Sequence, residues 1–396
     1  MKVSIRPLEN DELQDGIAEL RVATYPGFPE AHETEYYASF YRWYLNHPLA
    51  GQVYRWAAIS GKDQVVGHLA ALPQYYRING RRVVAHTPGD YMVLPGYGFQ
   101  ALPLMRTFFR ATENCVACDM VPAVIQVETR LGAEVVGRMQ YSAKLLNVSR
   151  LPVPALPERA RKLLGLPARF APPRGFETGG EARQAGETYA APRPRAPIPT
   201  PVKAFLNRAL EEIDGVLVRG FGGAAKVEEL EEFGEEFDDL FEKVAAVVPC
   251  VPEKDARFLN WRYGPGSPQG PVTVLGVRGS NGLLGYAVLK TASAGQDGYI
   301  LDLTTVPGYQ EVARALLRES VLYFRRAGAH IIRYRFLESP TSLGARDLRR
   351  LAFFYRGGRR NTLLTRFEDG GLHKTARILD NWSYNIGDGE ATFWLR

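Results

Sequence analysis

Residues 89–97 read GDYMVLPGY, and residues 301–309 read LDLTTVPGY. Both place an Asp five residues before a Pro-Gly-Tyr tripeptide. In each stretch an apolar strand runs up to the proline and a helix follows the tyrosine, so the tripeptide shapes the exit from the strand. Working outward, Phe40 and Trp43 match Phe258 and Trp261, and Gly61 and Gly67 match Gly279 and Gly285, all at one offset. The offset then shifts by six, which makes room in the first half for an extra hairpin, YYRINGRRVVAH. After it, DYMVLPGYGFQALPLMR aligns without a gap on DLTTVPGYQEVARALLR. Matches in register across three blocks indicate a duplicated domain rather than a solenoid.

The stretch from Leu151 is rich in Pro and Arg and poor in periodicity, which reads as a linker with a short helix at 158–164. It divides the 396 residues into an N-terminal domain, 1–150, the linker, 151–200, and a C-terminal domain, 201–396. A chain of this length is too long for one comfortable core. Both halves show one element order. In the first, VSIRPL reads as a strand, and helices follow at 11–25 and 33–45. A hairpin turns at Gly61, a strand reaches Val93, and a helix covers 99–112. The half closes with strand 115–120, helix 122–131 and a single strand 133–146. The second half repeats a hairpin, strand GYILDLTTV, helix 309–326, strand HIIRYRF, helix 343–355 and closing strands. This order implies an α/β chain of α+β character, with two mixed, mainly antiparallel sheets flanked by helices. The run EELEEFGEEFDDLFEK reads as an acidic helix with apolar residues beneath.

Apolar residues make up 45% of the chain and the net charge is +6. That charge suits an anionic ligand but falls short of a nucleic-acid binder, so nucleic acid is not an expected partner. No apolar run approaches the roughly 18–20 residues of a membrane span, and the N-terminus has no signal-like apolar core; a cytoplasmic protein is expected. Three cysteines make no disulfide framework. Period-2 geometry puts Cys115 and Cys118 on opposite faces of a buried strand, as structural residues. Six scattered histidines show no ligand spacing, and no metal is expected. Oligomeric state is left open.

A strand ending V-x-P-x-Y that runs straight into a helix resembles motif A of the GNAT acyltransferases. Leu131-Gly132-Ala133 resembles their later L-G-F turn, and the element order agrees over nearly everything except the linker. The chain is therefore similar to tandem GNAT N-acyltransferases. FLNWRY at 258–263 and WSYNIGDGE at 382–390 loosely resemble tandem GNAT proteins of bacterial polysaccharide gene clusters. The resemblance implies acetyl-CoA or another acyl-CoA as cosubstrate. Backbone at a splayed strand would grip the thioester near Met92–Val93 or Thr304–Thr305. The next helix N-terminus would face the pyrophosphate. The family loop Q/R-x-x-G-x-G/A becomes Gly98-x-x-Ala101-x-Pro103 in the first copy and Gln310-x-x-Ala313-x-Ala315 in the second, which is the closer match.

Attack by an amine needs a base, and the leaving thiolate needs an acid. The resemblance makes Asp90 and Asp302 candidate bases, with His68 and His86 on neighbouring strands able to share the role. The family's acid is a Tyr four residues before the L-G-F glycine; the first copy has Glu128 there, and the second offers Tyr355 one residue out of register. Six arginines between Arg346 and Arg360 read as a solvated face or an anion dock. The leading expectation is an acyl-CoA-dependent N-acyltransferase acting on a small-molecule amine such as an amino sugar. The alternatives are a non-catalytic GNAT-like scaffold or ligand-binding protein, or an aminoacyl-tRNA-dependent transferase of the peptidoglycan-bridge type.

Overall fold

Among the described residues, fifteen stretches rich in β-branched and apolar residues form strands in the computed structural model. The structure describes residues 3–9, 12–26, 34–149, 200–221, 223–292, 297–357 and 361–390. The helix expected at 158–164 lies outside the described residues. The first half contributes β1 (Val3–Pro7), β2 (Tyr54–Ser60), β3 (Val65–Ile78), β4 (Arg81–Val93), β5 (Cys115–Asp119), β6 (Glu134–Arg138) and β7 (Gln140–Leu145). The second contributes β8 (Glu228–Leu230), β9 (Cys250–Pro252), β10 (Thr273–Gly279), β11 (Gly282–Thr291), β12 (Asp297–Thr305), β13 (Ile331–Phe336), β14 (Phe354–Tyr355) and β15 (Thr362–Arg366).

One sheet runs β1-β2-β3-β4-β5-β15-β6, with β9 paired to β3, and the other runs β14-β7-β13-β12-β11-β10-β8. The sheets do not part at the linker: β7 lies between β13 and β14, and β15 lies between β5 and β6. Each half thus completes the other's sheet. The residues read as one strand over 133–146 are two, split at Met139, whose N–H bonds to Asn361 O at 2.9 Å as the chain crosses between sheets. Gly137 weakens the strand locally, and the two partner strands, in different sheets, fix the break.

Register in the two sheets agrees at the quoted stretches. Gly67 pairs with Val93 and His68 with Met92, while Gly285 pairs with Thr305 and Tyr286 with Thr304. Gly96 and Gly308 of the two tripeptides sit at φ 91° and 89°, a region that favours glycine. Near the seam Trp43 and Trp261 stack with ring centroids 4.0 Å apart, and each indole N–H donates to the other's carbonyl at 2.8 Å.

Two helices are shorter than expected. The stretch 343–355 is helical only over Ala345–Arg350; Ala352 takes φ 57°, and Phe354–Tyr355 then pairs with β7. In the acidic run, Glu228–Leu230 is a strand and the helix is Glu236–Ala245, burying Phe237, Leu240, Phe241 and Val244. Arg350 lies over the Phe221 ring and Arg314 pairs with Asp347, so this basic patch is partly engaged in the fold; Arg359 and Arg360 lie outside the described residues. Cys115, Cys118 and Cys250 are buried and free, and Cys115 and Cys118 belong to different core clusters. Among the described residues, no helix is long and apolar enough to cross a membrane.

Candidate active site

The two quoted strands each part from a parallel neighbour. β4 pairs with β5 only at His86 and Cys115, whereas β12 pairs with β13 from Asp297 to Ile300. Beyond those points the strands diverge, and the two gaps are treated differently.

In the second gap the chain fills its own opening. Residues 384–388 lie between the splayed strands: Asn385 bridges to Phe336, Leu337 N–H donates to Tyr384 O at 2.8 Å, and Tyr334 OH donates to Asn385 Oδ1 at 3.3 Å. A side chain at Gly387 would meet the Tyr263 hydroxyl and the Leu301 carbonyl, so glycine is required by space. The loop 339–342 covers the strand-to-helix joint. Thr305 N–H donates to Thr341 O at 3.1 Å, Gly308 N–H to Pro340 O at 3.4 Å, and Gln310 Nε2 to Ser342 O at 3.4 Å. Ala313 and Ala315 face the core. The groups expected to hold a cofactor here are engaged by the protein itself.

Asp302 lies in this packed region with no exposed surface. Lys254 Nζ lies 3.0 and 2.9 Å from its two oxygens and 3.1 Å from Asp388 Oδ1. Thr304 Oγ1, Tyr286 OH and Asn385 Nδ2 also donate to Asp302, at 2.8, 3.0 and 2.9 Å. Burial, then Asp302, push the Asp388 carboxyl up to about 6 against the pull of Lys254. Burial disfavours charge on Lys254, but Asp302 and Asp388 outweigh it and raise that amine. This is a closed polar network that ties β12 to the C-terminal segment.

The first gap differs. Leu94 N–H donates to Val66 O at 2.8 Å, and the alternation of an antiparallel ladder then turns the Val93 N–H to the β5 side. No described strand pairs with β4 there. The following loop is open: Phe99 is 61% exposed, and a Cβ on Gly98 would meet nothing within 4 Å. Ala101 starts the helix Ala101–Ala111, and its carbonyl accepts from Tyr91 OH at 2.7 Å. Met92 is buried.

Asp90 occupies a bulge at φ 48°, where the β3–β4 register shifts. Arg21 Nη2 donates to its Oδ1 at 2.5 Å, and His68 Nδ1 lies 3.0 Å from Oδ2 and 3.1 Å from its carbonyl. Burial raises the Asp90 carboxyl, but Arg21 and His68 prevail and hold it down at about 2. The structure thus joins two predicted residues, His68 and Asp90. His86 points elsewhere, stacked on Tyr54 with its Nε2 3.1 Å from Gln52 O. Tyr355 sits on the edge strand β14 of the other sheet, 56% exposed.

Glu390 carried no sequence signal beyond a loose motif, and Glu128 was marked only by standing where the resembled family has its acid. The C-terminal segment passes from the second gap toward the first, where Glu390 lies against Gly89. Arg262 Nη2 donates to Gly389 O. Both Glu390 carboxylate oxygens are out of water and meet no side-chain donor; the Asp90 backbone N–H is the group that acts on them. Burial, opposed by Arg262 and reinforced by Asp90, pushes this carboxyl up to about 8. Glu128 is fully buried with both oxygens unpartnered, and burial followed by Asp119 raises its carboxyl well above the usual range. Its field reaches Tyr91 and Cys115, on the two strands that part. A cleft of about 150 Å³ between the halves is lined by His47, Gln74, Arg82, Glu253, Asp255 and Arg257. Among the described residues, no group of three His, Cys, Asp or Glu could hold a metal.

The fold is that of two GNAT-like domains in tandem. Saccharomyces cerevisiae N-myristoyltransferase with bound myristoyl-CoA matches over 93% of this chain and 79% of its own, at a TM-score of 0.53 and 11% identity. A GCN5-related N-acetyltransferase from Anabaena variabilis matches over 93% of this chain and 73% of its own, at 0.52 and 10%. A probable N-acyltransferase from Enterococcus faecalis covers the same shares, at 0.50 and 11%. At these identities the likeness is one of fold. No protein-family profile matches the sequence, and no curated protein sequence matches it significantly.

Proposed function

We propose that the chain is an acyl-CoA-dependent N-acyltransferase whose donor site is the first gap, between β4 and β5. One observation carries this reading. Thr305 N–H is covered by Thr341 O, whereas its counterpart in Val93 faces an edge where no described strand pairs. In this reading Val93 N–H stabilises the oxyanion as the amine attacks the thioester carbonyl. Glu390 accepts the proton from the attacking nitrogen. As the C–S bond breaks, Glu128, kept neutral by burial, gives its proton to the sulfur. Asp90, held as a carboxylate by Arg21, orients His68 and biases Glu390 upward in pKa; its own basicity is too low for the proton transfer.

The cleft lined by Asp255, Glu253 and Arg257 takes the amine, and its mixed charge suits a polar acceptor such as an amino sugar. The donor is acetyl-CoA or another acyl-CoA. The test is thermal denaturation of the full chain with CoA, acetyl-CoA and longer acyl-CoAs. A donor at about 100-fold its Kd adds about 2.7 kcal/mol of stability. The expected shift disappears in Gly98→Glu and persists in Gln310→Glu. No shift with any acyl-CoA overturns the proposal.

A further inference from the structure

The helix Thr200–Arg219 turns one face to the second sheet and leaves the other in water. On the inner face Asp214 Oδ1 accepts from Lys144 Nζ of β7 at 2.6 Å, and Asn207 Oδ1 accepts from Val148 N–H at 2.8 Å. On the outer face Phe205 is 72% exposed, Val216 69% and Ile213 52%, with Val202 and Leu206 beside them. At 3.6 residues per turn these positions, with Ala209, make one continuous apolar stripe along about 21 Å of helix. Stripes of this kind on a water-facing helix mark interaction sites.

The stripe has an internal symmetry. Phe205 and Ile213 stand four residues to either side of Ala209, and Val202 and Val216 stand seven. Arg208 and Glu212 are exposed together on one flank.

We propose that a second copy of the chain docks here through the same helix, antiparallel, in an isologous interface that crosses at Ala209. Reversal about Ala209 lays Phe205 on the second copy's Ile213 and Val202 on the second copy's Val216. Apolar side chains then meet along the whole stripe. Two antiparallel helices also bring like flanks together, so Arg208 faces the second copy's Glu212, and the two-fold axis repeats that ion pair. Alanine at the crossing lets the backbones approach. The interface lies on the face of the helix turned away from Lys144, so it stands independently of the proposed chemistry.

Sedimentation of the full chain over a range of concentrations tests it. A dimer is expected. Phe205→Glu with Ile213→Glu should give a monomer with unchanged circular dichroism and melting temperature. Arg208→Glu should weaken dimerisation about tenfold or more, and adding Glu212→Arg should restore it. Ala209→Cys, on the two-fold axis, should cross-link to itself under oxidised glutathione, since the three native cysteines are buried. A monomer at all concentrations overturns the proposal. So does a dimer that survives the double glutamate variant and gives no Ala209→Cys cross-link, because the stripe would then have another occupant.

Discussion

Asp90 and Asp302 hold matched positions in the two halves and have matched neighbours of different chemistry. Each faces a residue on the adjacent strand, His68 or Tyr286, and each binds a buried cation, Arg21 or Lys254. Around Asp302 every partner belongs to a closed network, and the C-terminal segment seals it. Around Asp90 the arrangement is less complete: the buried Glu390 carboxyl meets no side-chain donor, and only the Asp90 backbone N–H acts on it. Buried polar groups are normally satisfied, and exceptions concentrate where chemistry is done. The same strand-to-helix joint is thus a closed structural node in one half, while in the other no described strand pairs with its outer edge.

That contrast can be broken at several points. The largest effect is expected at Glu390. Glu390→Gln should lower kcat by about 10²–10⁴ under the proposed mechanism and abolish a rise in rate as pH passes through about 8, measured as thiol release. Glu390 also makes an equilibrium statement. Its folded pKa lies above the unfolded value, so its stabilisation is full at acid pH and is lost as pH rises toward 8. Denaturant titrations at pH 5 and 8 should show a larger loss in the native chain than in Glu390→Gln, where the raised carboxyls of Glu128 and Asp388 still contribute. Asp90 has the opposite sign: its folded pKa is depressed, so its contribution is lost as pH falls toward 2.

The second half should answer in stability rather than in rate. Lys254→Met leaves Asp302 and Asp388 buried without their cation and should cost about 3–5 kcal/mol by chemical denaturation. Adding Asp302→Asn should recover part of that, and full additivity of the two losses would count against a closed network. The smallest effects belong to the tripeptides. Gly96→Ala and Gly308→Ala should each cost about 1 kcal/mol, because both glycines hold positive φ with no atom near a new Cβ. A cost at only one of them would mean that the joints are built differently after all.

Much of the fold was legible in the strand, turn and helix signals around the two Pro-Gly-Tyr stretches. Hairpins, strand-to-helix joints and helix starts depend on neighbours a few residues apart, and those interactions are written locally. The contact between Asp90 and His68 was legible for the same reason, since the β3–β4 hairpin fixes their register. The closer likeness of the Gln310 loop to the family pattern favoured the second half as donor site, but loop 339–342 and the C-terminal segment already engage it. Nothing near Gln310 in the chain announces a covering loop some thirty residues later.

By itself, the sequence determined two similar αβ halves, each with an Asp ahead of a glycine-dependent turn, because periodicity and turn chemistry act over short spans. Only the tertiary structure decided that β7 and β15 change sheets, that Glu390 reaches Gly89, and that one gap is filled while no described strand pairs across the other. Those outcomes rest on contacts between residues hundreds of positions apart, whose free energy depends on which surfaces meet and not on any local preference.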